Sequence, residues 1–350
     1  MNVTQLLELT VQRDASDLHL AVGFPPMLRV HGELFPIPGE EILTPEQMSS
    51  LILPLLNPEQ KSIFDLTFEL DFSFDFQGKC RFRVNLYRQK GALGASLRLI
   101  PFKIRDLSEL GFSSVVTRLT DLRQGFILVT GPTGHGKSTA LAAFINKINM
   151  TRNSHIITIE DPIEYVYPKG KSLISQREMF SDTKSWGNGL RAALREDPDV
   201  VLVGEMRDLE TISSAMTTAE TGHLVFATLH TNSASQSIDR IIDVFPQNQQ
   251  PQIRLQLAAT LEAVLSLRLV PTVNPGRILA TEVLFSTPAA RSMIREGKSY
   301  MIDNLIQTSA ELGMNSLESS LASLVKQGKV SSEQALRFSL RPELLSKLLK

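Results

Sequence analysis

The chain has 350 residues, 42% of them apolar and 21% charged; this excludes a disordered protein and exceeds what one hydrophobic core ordinarily organises, so two domains are expected. Its 36 basic and 37 acidic residues nearly cancel, which removes the broad positive field that a dedicated nucleic-acid binder uses. The one cysteine, Cys80, excludes an intrachain disulfide and any multi-cysteine zinc site; it suits a reducing compartment and reads as a small strand residue.

The opening MNVTQLLELTVQRD carries acid and amide where a signal peptide needs an apolar block, and no stretch approaches the ~18 uninterrupted apolar residues of a membrane span. A cytoplasmic protein is expected, touching a membrane only through a partner. Along the chain, LLELTVQRD gives a short helix, SDLHLAV a strand, and LTPEQMSSLILPLL a helix with apolar residues spaced at three and four. In FELDFSFDF and RFRVNLYRQ, Phe68, Leu70, Phe72, Phe74 and Phe76, then Phe82, Val84 and Leu86, fall at period two, as half-buried antiparallel strands require. SLRLI adds a further strand. Residues 1–100 therefore form a small α+β domain, and PFKIRDLSEL, starting at the break near Pro101, leads into a second domain over 101–350.

From about Gly125 the pattern changes to short, fully apolar runs, FILV, IITI, VVLV and LVFATL, separated by longer helical stretches, the signature of a parallel sheet. After Ala140, the residues Leu141, Phe144, Ile145 and Ile148 lie on one helical face, so a helix follows the first of these strands directly. The tail is helical: Leu317, Leu321, Leu324 and Val325 share a face, and Ser331 with Gln334 can form a capping box.

The segment GPTGHGKST, comprising Gly131, Pro132, Thr133, Gly134, His135, Gly136, Lys137, Ser138 and Thr139, matches G-x-x-x-x-G-K-[ST] between an apolar strand and an amphipathic helix. Glycines there let the backbone wrap phosphates, amide N–H groups point inward, and the helix N-terminus adds partial positive charge. Lys137 would reach the β and γ phosphates of a nucleotide and Ser138 would hold Mg²⁺. His135 occupies a variable position and is expected to be solvated above the loop.

Three further clusters lie near strand ends. TIEDPIEY puts Glu160, Asp161 and Glu164 at the carboxyl end of a parallel strand, where one of them can position an attacking water. DPDVVLVGEMRD places Glu205 after a buried strand, suited to Mg²⁺ and its waters. TAETGHLVFATLHT brackets a strand with His223 and His230; His230, after the strand, lies on the nucleotide side, where an imidazole can sense a γ-phosphate.

GPTGHGKST, IEDPIEY, LREDPDVVLVGEMRDLET and AETGHLVFATLHT, in this order and spacing, resemble the Walker A, Asp box, Walker B and His box of the secretion ATPase superfamily. Among its branches, the type IV pilus retraction ATPases of the PilT type are the nearest, and SDLHL and RFRVNLYRQ resemble their N-terminal segments. The resemblance implies a PAS-like α+β domain before a RecA-like P-loop ATPase domain, with ATP and Mg²⁺ held between them in a homo-hexamer. It implies a motor docked on an inner-membrane platform protein at the cytoplasmic face, driving pilus retraction and twitching motility without nucleic acid. Residue by residue, it assigns Lys137 to phosphate, Glu164 to the general base, Glu205 to Mg²⁺ or its waters and His230 to the γ-phosphate. N-terminal arginines neutralise phosphate charge, and Arg81, Arg83 and Arg98 are the matches; Arg81 and Arg83 alternate with Phe82 and so share a strand face. Two positions depart from the pattern: His135 stands where serine is usual, and TPAARSMIREGK carries Ala290 and Met293 where the retraction-associated segment has isoleucine and leucine.

Two rival readings have clear discriminators. A pilus-assembly or type II secretion ATPase would usually bring a four-cysteine zinc module and a longer N-terminal region. A RecA-like nucleic-acid motor shares the sheet and the P-loop, but its basic track is missing from this composition.

Overall fold

The computed structural model describes residues 1–30, 32–78, 80–100 and 104–350. The expected break at Pro101 and the first residues of the linker lie outside the described residues. Two compact units emerge, one of Met1–Lys103 with Glu164–Val166, the other of Ile104–Ile163 with Tyr167–Lys350.

The first unit is built on six strands: β1 (Asp17–Ala21), β2 (Met27–Val30), β3 (Glu33–Pro36), β4 (Glu69–Phe76), β5 (Cys80–Gln89) and β6 (Ala92–Ile100). They run in the order β3-β2-β1-β6-β5-β4, and every pairing is antiparallel. Phe82, Val84 and Leu86 of β5 are buried with Leu18 and Leu20 of β1 and with Leu6, Leu7 and Met48 from helices Val3–Gln12 and Pro45–Ile52. These two helices and a third, Pro58–Thr67, each start with a full capping box, at Asn2/Gln5, Thr44/Gln47 and Asn57/Gln60, so each entry point is specified locally. Cys80 is buried on β5, as a small strand residue should be.

Phe68 departs from the expected alternation. It caps the helix Pro58–Thr67 in the left-handed region at φ 61° and is 52% exposed, with the Arg88 guanidinium 5.0 Å from its ring centre. A capping residue just ahead of a strand falls in phase with it by chance, so periodicity alone placed Phe68 on the buried face. The strands β2 and β3 were not foreseen; the four residues of β3 are all exposed and carry no alternating burial.

The second unit carries β7 (Gly125–Thr130), β8 (His155–Glu160), β9 (Leu173–Glu178), β10 (Val200–Val203), β11 (Leu224–Leu229), β12 (Leu261–Pro271) and β13 (Arg277–Phe285). The order is β13-β12-β7-β11-β10-β8-β9, parallel throughout except for β13 against β12. All residues of β7, β10 and β11 are buried, since helices cover both faces. The helix Lys137–Thr151 packs Leu141, Phe144, Ile145 and Ile148 under one face, as expected from their spacing. Register aligns the strand ends: Thr130 pairs with Leu229, and Val203 pairs with both Ala227 and Ile159. The loops after β7, β10, β11 and β8 therefore leave the sheet along one edge, the carboxyl edge where open α/β sheets bind ligands.

In the tail, Leu317, Leu321 and Leu324 are buried against Val270 and Ala280, and the Ser331 hydroxyl accepts from the Gln334 N–H at 3.2 Å. No helix among the described residues is long and apolar enough to cross a membrane.

Candidate active site

The loop after β7 is fixed by close backbone approach. Gly131 has φ +141°, and a Cβ there would lie 2.6 Å from the Leu267 carbonyl oxygen of β12, so only glycine fits. Gly136 begins the helix in the left-handed region at φ 88° with no side-chain cap among the described residues. This leaves first-turn N–H groups facing the loop, the arrangement that receives oxyanions. Lys137 is 9% exposed, and its ammonium donates to the carbonyls of Gly131 at 2.8 Å and Pro132 at 3.0 Å. The loop's own backbone thus holds the cation at its base, and Ser138 follows in the first helical turn.

Beside this loop, the ends of β10 and β11 converge. The Glu205 Oε1 is 3.0 Å from His230 Nε2, and the Arg207 guanidinium forks the same carboxylate at 2.6 and 2.8 Å. On its other side, His230 Nδ1 is 3.3 Å from the Thr133 hydroxyl of the P-loop. A proton on Nε2 lets His230 donate to Glu205, leaving Nδ1 against the Thr133 hydroxyl. Burial works to raise the Glu205 carboxyl, but hydrogen bonds from Arg207 and the charges of His230, Arg207 and Lys137 outweigh it and hold the group below its ordinary value. Arg207 is held above its ordinary value by the hydrogen bond and charge of Glu205. The structure therefore joins P-loop, Glu205 and His230 in one hydrogen-bonded chain.

His135 is not solvated above the loop. Its Nδ1 accepts from the Leu269 N–H of β12 at 3.0 Å, and its ring lies 6.1 Å from that of Phe338. Burial foremost, then the nearby charges of Arg268, Lys137 and Arg277, lower its proton affinity. Nothing local in the sequence marks the approach of β12 and the helix Ser332–Phe338 to this position. His223, which brackets β11 from the other side, lies at the opposite edge of the sheet. There its Nδ1 contacts the Thr218 carbonyl at 3.0 Å, and it lines a polar cavity of about 640 Å³ with Arg123, Arg152 and Asp199.

Of the acids after β8, Glu160 is 8% exposed and bonded by the Thr158 hydroxyl at 2.6 Å and the Gln176 amide at 3.2 Å, which fits a strand-end anchor and not a base. Glu164 is exposed, groups with the first unit, and makes no hydrogen bond among the described residues. Arg81, Arg83 and Arg98 share one face of the first sheet, since Arg83 stands directly opposite Arg98. Arg98 is paired with Asp17 at 2.9 Å and Arg81 donates to the Ser73 hydroxyl at 2.7 Å, whereas Arg83 has no such partner among the described residues.

Residues 72–337 match the family model described as type II/IV secretion system protein. The chain belongs to this family. Within it, the chain is 47% identical to the type IV pilus retraction ATPase PilT of Pseudomonas aeruginosa, over 98% of this chain and 99% of that protein. The twitching motility protein of Neisseria gonorrhoeae is 46% identical over 93% of this chain and 87% of its own length. A crystal structure of the pilus retraction motor PilT with bound ADP superposes with a TM-score of 0.93 at 42% identity, covering 99% of both chains. This member of the type II/IV secretion family is therefore of the PilT type, and the expected fold class, an N-terminal α+β domain before a RecA-like P-loop ATPase domain, is borne out.

Asn232, Arg268 and Glu282 carry no motif signal in the sequence. Arg207 stands two residues past Glu205 and was visible; that its guanidinium would fold back on the carboxylate was not.

Proposed function

We propose that this PilT-type protein is an ATP-hydrolysing motor whose output is retraction of type IV pili. The observation that carries the reading is the hydrogen-bonded chain Thr133–His230–Glu205 at the carboxyl edge of a RecA-like sheet, beside the P-loop lysine. The residues fit Mg²⁺-ATP: Gly131 and Gly136 free the backbone N–H groups, Lys137 supplies a positive charge, and Ser138 and Glu205 offer the oxygen atoms that Mg²⁺ prefers. Mg²⁺, when bound, would neutralise charge on the phosphate oxygens.

In this reading Glu164 accepts the proton of the attacking water. His230, donating from Nε2 to Glu205 and tied to Thr133, is aimed to register the γ-phosphate and to report its loss to the loop behind it. Arg81, Arg83 and Arg98 oppose phosphate charge, and Arg83 has no hydrogen-bond or ion-pair partner among the described residues to give up. The working unit is a homo-hexamer in the cytoplasm, docked through a platform protein of the inner membrane, and nucleic acid plays no part.

The test is deletion of the gene in a piliated host with complementation by the wild-type chain or by Lys137→Ala. A retraction motor predicts excess surface pili and no twitching in the deletion, rescued by the wild type alone. Loss of surface pili would make it an assembly ATPase.

A further inference from the structure

His230 is aimed by a loop, and what stands behind that loop is buried. His230 leaves the end of β11, and helix Ala234–Asp243 starts four residues later. Two side chains from the β12–β13 ladder grip this short connection. The Arg268 Nη2 donates to the Asn232 Oδ1 at 2.9 Å, and the Ala234 N–H donates to the Glu282 Oε1 at 2.7 Å. Register puts Arg268 opposite Ala280 and Glu282 opposite Ser266, so both point from the same face of the ladder. The next residue along β12, Leu269, gives its N–H to His135 of the P-loop. One strand therefore touches both arms of the site, the phosphate loop and the loop that carries His230.

Arg268 is a poor choice for stability. It is 7% exposed, and its Nη1 is buried without a hydrogen-bond partner among the described residues. An unsatisfied buried donor keeps its desolvation cost without compensation, and well-packed apolar side chains of similar volume often replace a buried ion pair without loss. What a planar guanidinium offers instead is a directed hydrogen bond.

We propose that Arg268 is a positioning residue for ATP hydrolysis: through Asn232 it fixes the loop that aims His230 at Glu205 and Thr133, from the strand that also holds the P-loop at His135. The proposal rests on the reading of His230 as part of the ATP-hydrolysing site.

The test uses the full-length protein and four variants, Asn232→Ala, Arg268→Met, their combination, and His230→Ala, with steady-state ATPase kinetics, nucleotide affinity and thermal unfolding. Asn232 is exposed, so its replacement leaves the fold intact even if Arg268→Met does not fold. Asn232→Ala and Arg268→Met should each lower kcat by about tenfold with nucleotide affinity changed less than about twofold, and the combination should fall no further, because both remove one contact. Asn232→Asp, which keeps the acceptor, should retain kcat. If Asn232→Ala keeps kcat while His230→Ala abolishes it, the positioning role is overturned and the site reading stands. If His230→Ala is itself fully active, both are overturned.

Discussion

Glu282 offers a sharp test of the buried ladder behind the site. It is 3% exposed on β13, and burial, aided by Asp303 and Glu318 and opposed by the Ala234 N–H and Arg341, moves its pKa from 4.5 to about 7. Between those values the folded chain binds a proton that the unfolded chain has released. The protonated form thus favours folding at low pH, and this contribution is lost as pH rises through the folded value near 7. A change from 4.5 to about 7, at 1.36 kcal/mol per tenfold change in proton affinity, corresponds to about 3 kcal/mol. Glu282→Gln keeps an oxygen for the Ala234 N–H and removes the titration. Urea unfolding followed by fluorescence of Trp186, the chain's only tryptophan, should find variant and wild type alike near pH 5. Near pH 8 the variant should be more stable by about 3 kcal/mol. A difference that does not change with pH would refute the reasoning, since it would mean the carboxyl ionises in the folded chain as freely as in the unfolded one.

Gly131→Ala should cost about 1–3 kcal/mol in backbone strain and a similar amount in overpacking against the Leu267 carbonyl, visible as a lower unfolding midpoint and weakened nucleotide binding; an unchanged midpoint would contradict the close approach. Glu164→Gln should leave ATP bound but uncleaved, because the amide keeps the shape and loses the proton acceptor; if Glu205→Gln traps ATP and Glu164→Gln does not, the two roles are reversed. Arg83→Ala should depress kcat far more than ATP affinity, as expected for a group that opposes charge developing in the transition state. A raised KM with kcat kept would assign Arg83 to ground-state binding.

The parallel sheet is readable from residue order alone, because strands buried on both faces read as unbroken apolar runs at FILV, IITI, VVLV and LVFATL. So is the P-loop, because phosphate wrapping needs glycines and a lysine at fixed spacing within one short segment. Glu205 and His230 were legible for a related reason: in a parallel sheet every strand's carboxyl end reaches the same edge, so a residue just past a strand is placed by topology alone. Antiparallel, half-exposed elements were less legible. Phe68 was in phase with β4 yet caps a helix, and β3 has no buried face to leave a pattern.

Which side chains meet depends on how distant segments of the chain pack. His135 looked solvated because its neighbours, Leu269 and Phe338, lie more than a hundred residues away in the chain, and nothing local encodes that approach. Arg268 and Glu282 sit in long apolar strands where a lone charge carries no spacing signal; their grip on Asn232 and Ala234 exists only once β12 and β13 pair in register beside β7. Local chemistry is written in adjacent residues, whereas contacts between distant segments depend on sheet order and register, which side-chain burial fixes only when the whole chain has folded.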